Sequence, residues 1–402
     1  MRPDGQRLRE YEGGAFLGVV LNGMTWNHSR AYPPLVAVSQ RFEELHPDVK
    51  IQWEKRSLAD FENYPVEELA EKYDFIILDH PWTGFIISSD AIWFAEELFP
   101  AEMLDHLSKN SIGASYESYT MNGHQIALPI DGATPIAAYR ADVLAAGGDA
   151  VPVTWGALMD LARRGKVIVA GSRLYTFLDF LMMCATIVEK KSDLYLPDLI
   201  APMDVQREAL ESYRELLVLC PARIYEMDPI AVYEEMSRVE TPYAYCPFIY
   251  GYVNYFRPGY GSKILSPADV VLYKGRMLRT TLGGTGLAIS KKCRALKEAV
   301  EFSEYAMSET IQNTVYPDAG GQPGLRSAWI NPEVNRRSND FYAATIKTME
   351  NAAVRPRYDG YYRLQNNGGT ILRDYLVTGR GLEKTLEELN HLYRISRNNG
   401  PV

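Results

Sequence analysis

Within the first eighty residues the apolar positions change period repeatedly, and this alternation constrains the fold more than any other feature of the chain. Residues 15–21 form a short apolar run. Leu35, Val38, Phe42 and Leu45 then recur at helical spacing within 34–46, and 49–53 alternates like a strand. Residues 66–73 return to a helical pattern, and 74–78 is a continuous apolar run of the kind a parallel sheet buries on both faces. The order β-α-β-α-β requires right-handed crossovers. These bring the loops after all three strands to one edge of the sheet, where open α/β folds take ligands. The loops expected there are 22–31, 55–60 and 79–85. They hold Trp26, His28 and Arg30, then Arg56 and Ser57, then Asp79, His80 and Trp82. Aromatic faces beside charged and hydrogen-bonding groups suit a polar-ligand pocket, although any one tryptophan could simply plug the sheet edge.

The chain has 402 residues, which is more than a single α/β unit needs, so two lobes are expected. Its 47% hydrophobic and 23% charged residues are ordinary for a folded globular chain. A net charge of −9 repels phosphate backbones, and no basic patch offsets it, so nucleic acid is not expected as a partner. Four cysteines lie tens of residues apart without a C-x-x-C, which excludes a local zinc knuckle or redox motif and favours reduced, buried thiols. The apolar stretch 177–188 is broken by Asp179 and is shorter than the roughly 20 residues a membrane span requires. Residues 1–14 mix arginines with acidic residues, and no signal-type apolar core follows. As written, the chain is therefore expected to stay in the cytoplasm.

Further along, 125–130 and 135–139 read as strands around a turn at Asp131-Gly132, where the chain would leave one lobe for the other. Thr154 is positioned to cap a helix over 155–163. Helices follow at 204–219 and 230–237. Residues 242–256 carry seven aromatics whose alternation suits a strand with one aromatic face turned to a cleft. Gly283 to Gly286 precedes an apolar strand at 287–289 and a helix at 295–307. Residues 320–324 read as a loop, and 382–395 as a closing helix with core positions Leu382, Leu386, Leu389 and Tyr393.

Motifs narrow the chemistry. Gly284-Thr285-Gly286 lacks the third glycine and the following helix of a dinucleotide fingerprint, which leaves a backbone-lined ligand loop or a tight turn. Phosphate-loop, zinc-protease and hydrolase-elbow patterns are absent. Ser57, Asp79 and His80 could be assembled into a nucleophilic trio, but neighbours in a chain rarely aim at one atom. Arg30, Arg56, Arg355 and Arg357 could fork a carboxylate or phosphate, with solvated or ion-paired surface arginine as the alternative.

Taken in order, several segments resemble the family 1 extracellular solute-binding proteins of bacterial ABC importers, the sugar-binding receptor type. They are Pro47-Asp48-Val49 after the first helix; Tyr73 to Ile77; Asn122 to Pro129; Tyr139 to Asp142; Pro152 to Trp155; and Gly283-Gly284 with Leu287 to Ser290, then Glu298, Ala299 and Phe302. Thr25 to His28, Arg56 to Leu58, Asp79 to Pro81 and Arg355 to Gly360 look like a less studied branch without a signal peptide. The resemblance implies a two-lobe α/β fold of the periplasmic-binding-protein type (type II), with the ligand cleft between the lobes. Lobe 1 would comprise 1–131 plus 283–325, and lobe 2 would comprise 132–282 plus 326–402. It also implies ligand contacts at Trp26, His28, Asp79, His80, Trp82, Asp131, Tyr250, Gly284, Thr285 and Gly286, joined by Arg30, Arg56 and Arg357 from the charge pattern.

The expected function is capture of a small polar ligand, a carbohydrate or sugar acid, for ABC-type import. It would involve no enzymatic step, cofactor or metal. The chain is expected to be a monomer whose partner is an importer permease, and the family implies a periplasmic or extracellular location. The alternative is a cytoplasmic enzyme or ligand sensor on the same fold. It would act on a carboxylate or acyl compound with His28, His80 and Asp79.

Overall fold

A computed structural model describes residues 10–11, 14–15, 18–57 and 66–398. Residues 16–17 of the first apolar run, 58–60 of the second loop, and most of residues 1–14 lie outside the described residues. The chain forms two compact units, Met1–Gly132 with Gly284–Val334, and Ala133–Gly283 with Asn335–Val402. It passes between them three times. The last passage falls after Val334, so residues 326–334 belong to unit 1, whereas the sequence reading turned the chain back at 325. The helix Arg326–Ile330 is tied there by Trp329, whose buried indole Nε1 donates to the Pro323 carbonyl at 2.8 Å.

Unit 1 is built on a five-stranded sheet in the order Val49–Arg56, Val19–Trp26, Phe75–Leu78, Gly283–Ile289, Leu128–Ala133. The first three strands are parallel, and Gly283–Ile289 runs antiparallel to Phe75–Leu78. The helix Tyr32–Leu45 starts on prolines, whose missing N–H costs nothing in a first turn. It buries Leu35, Val38 and Phe42. Under it Trp53 stacks on Phe75 at 5.9 Å, and Phe302 leans on Phe75 at 5.1 Å. Gly23 is the partner this packing requires, because a Cβ there would sit 2.4 Å from the Trp53 ring. Phe75–Leu78 is buried along its length, as expected of a strand covered on both faces.

Several strand ends differ from the sequence expectation, and the second strand runs on through Lys55 to Arg56, which the expected loop 55–60 had included. The first strand continues through polar Asn22 to Trp26, because the Asp74 carboxylate accepts the Asn22 N–H at 2.8 Å and the Asn22 carbonyl accepts from the Asp74 N–H at 2.8 Å. Only residues from Asn27 onward form a loop. Asp131-Gly132 is not a turn: both lie within Leu128–Ala133, whose edge is held by the 320–324 segment. There Gly132 N–H donates to the Gln322 carbonyl at 2.9 Å and Asp131 bridges to Pro323. Gly284, Thr285 and Gly286 are likewise strand residues and form neither a loop nor a tight turn.

Unit 2 centres on the helix Arg173–Ile187, buried on nearly every face, which is why its sequence is a nearly continuous apolar run. It packs on Met203–Leu217 and Tyr361–Thr378. Among the described residues no helix is long and apolar enough to cross a membrane. A three-stranded antiparallel sheet, Tyr245–Tyr250, Pro135–Tyr139 and Ser266–Ala268, completes the unit. The aromatic run does not turn one face to a cleft. Tyr243, Tyr245, Phe248, Tyr252, Tyr255 and Phe256 are all buried, and only Tyr250 is partly exposed. Both sides of this run meet protein, with Tyr255 stacked on Tyr233 at 4.7 Å. Thr154 caps Trp155–Arg163 as expected, its hydroxyl accepting from Ala157 N–H at 3.3 Å. All four cysteines are free; Cys184 and Cys246 are buried, and Cys220 and Cys293 are half-buried.

Candidate functional site

The parallel strands of unit 1 end side by side. Trp26 lies opposite Arg56 in the ladder and Leu78 opposite Gly286, so Asn27–Ala31, Ser57, Asp79–Trp82 and the start of Gly283–Ile289 share one edge. This is the carboxyl edge to which β-α-β geometry delivers loops.

At its centre Arg30 grips Asp131. The guanidinium donates from Nε to Asp131 Oδ2 at 3.2 Å and from its terminal nitrogen to Oδ1, and both side chains are enclosed. The Gln322 N–H adds a third donor to Oδ2 at 3.3 Å. Burial pushes the Asp131 carboxyl up, and the Arg30 charge and these hydrogen bonds pull it back. Arg30 also lies over the Trp26 indole at 5.7 Å. Arg30 is therefore half of an internal pair and not an open fork for a ligand acid. The Trp26 ring belongs to the unit 1 core and is only 4% exposed.

His28 is half-buried beside this pair, and its Nδ1 accepts from the Arg30 N–H at 3.0 Å. Burial, reinforced by the Arg30 charge, lowers its pKa to about 4, so the imidazole is neutral at pH 7. It can exchange hydrogen bonds with hydroxyls without carrying charge. Asp79 caps the short turn His80–Trp82, with Oδ1 accepting the His80 N–H at 2.9 Å while its side chain stays 16% exposed. His80 is enclosed, edge-on to Tyr119 at 6.2 Å, with Nδ1 3.3 Å from Asp79 Oδ1. Ser57 is exposed while His80 is fully covered, which does not suit a nucleophile and its base. Trp82 is partly exposed and meets Phe85 edge-on at 5.9 Å. Arg56 lies over the Tyr73 ring at 5.8 Å.

Two residues essential to this edge have no sequence motif. The one Tyr119 hydroxyl proton is shared between the Leu78 carbonyl at 3.1 Å and the Gly284 carbonyl at 3.4 Å, tying two strand ends together. Gly286 is needed beneath it, since a Cβ would meet the Tyr119 ring at 2.8 Å. Gln322 is fully buried and braces the Asp131 strand, its side-chain amide donating to the Gly132 carbonyl at 2.9 Å. Only the loop character of 320–324 could have pointed to it.

Tyr250 and Arg357 belong to unit 2. The Tyr250 hydroxyl shares a hydrogen bond with Thr281 Oγ1 at 2.9 Å, and its ring meets Tyr175 at 6.1 Å. Arg357 is half-buried in the irregular segment before the helix Tyr361–Thr378. In the same segment Arg355 is buried and committed internally, donating to the Leu282 carbonyl and to Gln365 Oε1, each at 3.1 Å.

No family model and no curated protein matches the chain. Solved structures do. Maltose-bound MalE3 of T. maritima aligns at TM-score 0.77 with 17% identity, over 94% of this chain and 100% of the other. An ABC transporter solute-binding protein from Agrobacterium radiobacter K84, in complex with ribitol, aligns at TM-score 0.75 with 20% identity, over 94% and 99%. The GacH receptor of Streptomyces glaucescens, studied with acarbose, gives TM-score 0.76 and 14% identity over 96% and 100%. The chain has the mixed α/β, periplasmic-binding-protein-like fold of these proteins along nearly its full length.

Proposed function

We propose that this chain is a solute-binding protein that captures a hydroxyl-rich small molecule, a carbohydrate or polyol before a sugar acid, for an ABC-type importer. The observation that carries the reading is the buried Arg30–Asp131 pair at the carboxyl edge of the unit 1 sheet, beside Trp26 and neutral His28. Its charges neutralise one another, so the edge offers directed donors and acceptors with little net charge. Such an edge suits sugar hydroxyls better than a carboxylate. Trp82 supplies a partly exposed ring for the apolar face of a sugar, and the Asp79 carboxylate supplies acceptors. The fold supports the reading, since its solved neighbours were studied with maltose, ribitol and acarbose. Arg56 keeps a sugar acid as the second choice.

Capture needs no bond-making and no cofactor. A ligand at ~100 times its dissociation constant stabilises the folded protein by about 2.7 kcal/mol, which is visible as a melting shift. The test is a melting screen of maltose, ribitol, acarbose and glucuronate. A hit should lose at least ~10-fold in affinity in Trp82→Ala and in Asp79→Ala, with the unliganded melt little changed. A hit that both variants bind as tightly as the parent would remove this edge from the site. Turnover of the hit, lost in His80→Ala, would favour the enzyme alternative.

A further inference from the structure

Unit 2 carries an open surface hollow of about 500 Å³ at the carboxyl end of the helix Arg173–Ile187. Its lining includes Thr186, Glu189, Lys191, Arg276, Arg279 and Asn351. Three cationic side chains and one carboxylate thus gather at one hollow in a chain whose net charge is −9.

The two arginines do different work. The tight hairpin Leu272–Tyr273/Arg276–Met277 turns through Lys274 and Gly275, both at positive φ, and this places Arg276 at the helix end. Its guanidinium donates to the Ile187 and Val188 carbonyls at 3.2 and 3.1 Å, so the carbonyl end that would repel an anion is already capped by a cation. Arg279 is fixed through its backbone, whose N–H donates to Thr186 Oγ1 at 2.8 Å. Its guanidinium is half-buried, and among the described residues no carboxylate pairs with it. A partly desolvated arginine normally has an acidic or carbonyl partner. Burial does lower the Arg279 pKa, the direction an anionic partner would reverse. Lys191, exposed at the rim, adds a mobile positive charge.

We infer that this cavity binds a small oxyanion, a phosphate or a carboxylate, with Arg279 as the fork, Lys191 as the rim charge and Asn351 as a neutral hydrogen-bonding group. None of the residues that build the sugar edge described above lines this hollow.

The test is titration calorimetry of the full chain with two probes, inorganic phosphate and succinate, at constant ionic strength set by sodium chloride. At least one probe should bind saturably, and which one binds separates the phosphate source from the carboxylate source. Arg279→Gln should weaken that binding by about tenfold or more, and Lys191→Glu, on an exposed position that does not threaten folding, by several-fold. Asp79→Ala should leave it unchanged, which keeps this site distinguishable from the sugar edge. Failure of both probes to bind up to millimolar concentration would overturn the inference. So would binding that Lys191→Glu and a folded Arg279→Gln leave intact.

Discussion

Arg30 and Asp131 stand 101 positions apart in the chain, yet two N–H donors of one guanidinium meet the two oxygens of one carboxylate in an enclosed setting. Breaking such a pair from one side leaves an enclosed charge without its counter-charge. Arg30→Met is therefore expected to cost about 3–5 kcal/mol. Arg30→Met with Asp131→Leu removes both charges and should recover most of that loss. Urea unfolding of the parent, the single and the double variant checks this. A double variant as unstable as the single would mean that packing, not charge pairing, holds the edge.

His28 makes the same edge acid-sensitive. In the unfolded chain an imidazole takes its proton near pH 6.5, while in the folded protein it does so only near 4. Between these values the unfolded state binds more protons, so stability contributed at neutral pH is lost as pH falls from about 6.5 to about 4. The expected loss is roughly 2–3 kcal/mol. His28→Gln keeps a polar side chain without the titration, and its unfolding free energy should fall less over the same window. Parallel acid loss in both proteins would place the sensitivity elsewhere.

The parts of this edge that were legible in the sequence are those set by local periodicity. Leu35, Val38 and Phe42 announced the helix Tyr32–Leu45, and Phe75 to Leu78 announced a doubly buried strand, so the three loops could be assigned to one side. What escaped depends on contacts distant in the chain. Asn22 looks like a strand breaker until Asp74, 52 residues on, accepts its N–H. Arg30 looks like a free fork until Asp131 occupies it. Tyr119 and Gln322 carry no motif because their work is done on backbone carbonyls of other strands. The aromatic run at Tyr245–Tyr250 showed its alternation, but alternation does not say whether solvent or protein covers the second face.

In unit 2, Asp179 lies within the buried helix Arg173–Ile187, with the Tyr213 hydroxyl donating to its Oδ2 at 2.8 Å. Burial raises its pKa well above the usual carboxylate range. An unfolded aspartate ionises near pH 4, while burial makes the folded one ionise at higher pH, so the unfolded state gains on the folded one as pH rises above that point. Asp179→Asn keeps an oxygen to accept from Tyr213 and has no proton to lose. The variant should melt about 1 °C above the parent at pH 8 for each kcal/mol gained, with the gap closing towards pH 4. A gap independent of pH would show that the carboxyl is already ionised in the fold.

The helices Arg173–Ile187 and Tyr361–Thr378 come together at Gly368-Gly369, and this contact allows almost no added volume. A Cβ at Gly369 would lie 1.7 Å from the Arg173 carbonyl oxygen, and one at Gly368 would lie 2.5 Å from the Phe177 ring. The first obstacle is backbone, which cannot swing aside as a side chain can. Gly369→Ala must therefore push the helices apart along a core that includes Phe177, Leu364 and Leu372. Alanine is the better helix former by about 1 kcal/mol, so on propensity alone the change would stabilise. Overpacking of this kind costs about 1–3 kcal/mol, more where backbone must move, and the net effect should be a loss. Gly369→Ala is expected to lower the midpoint of urea unfolding, whereas Thr370→Ala, on an exposed position of the same helix, should leave it nearly unchanged. A Gly369→Ala protein as stable as the parent would mean that the two helices can separate without loss, and that the close approach is not what holds this half of unit 2 together.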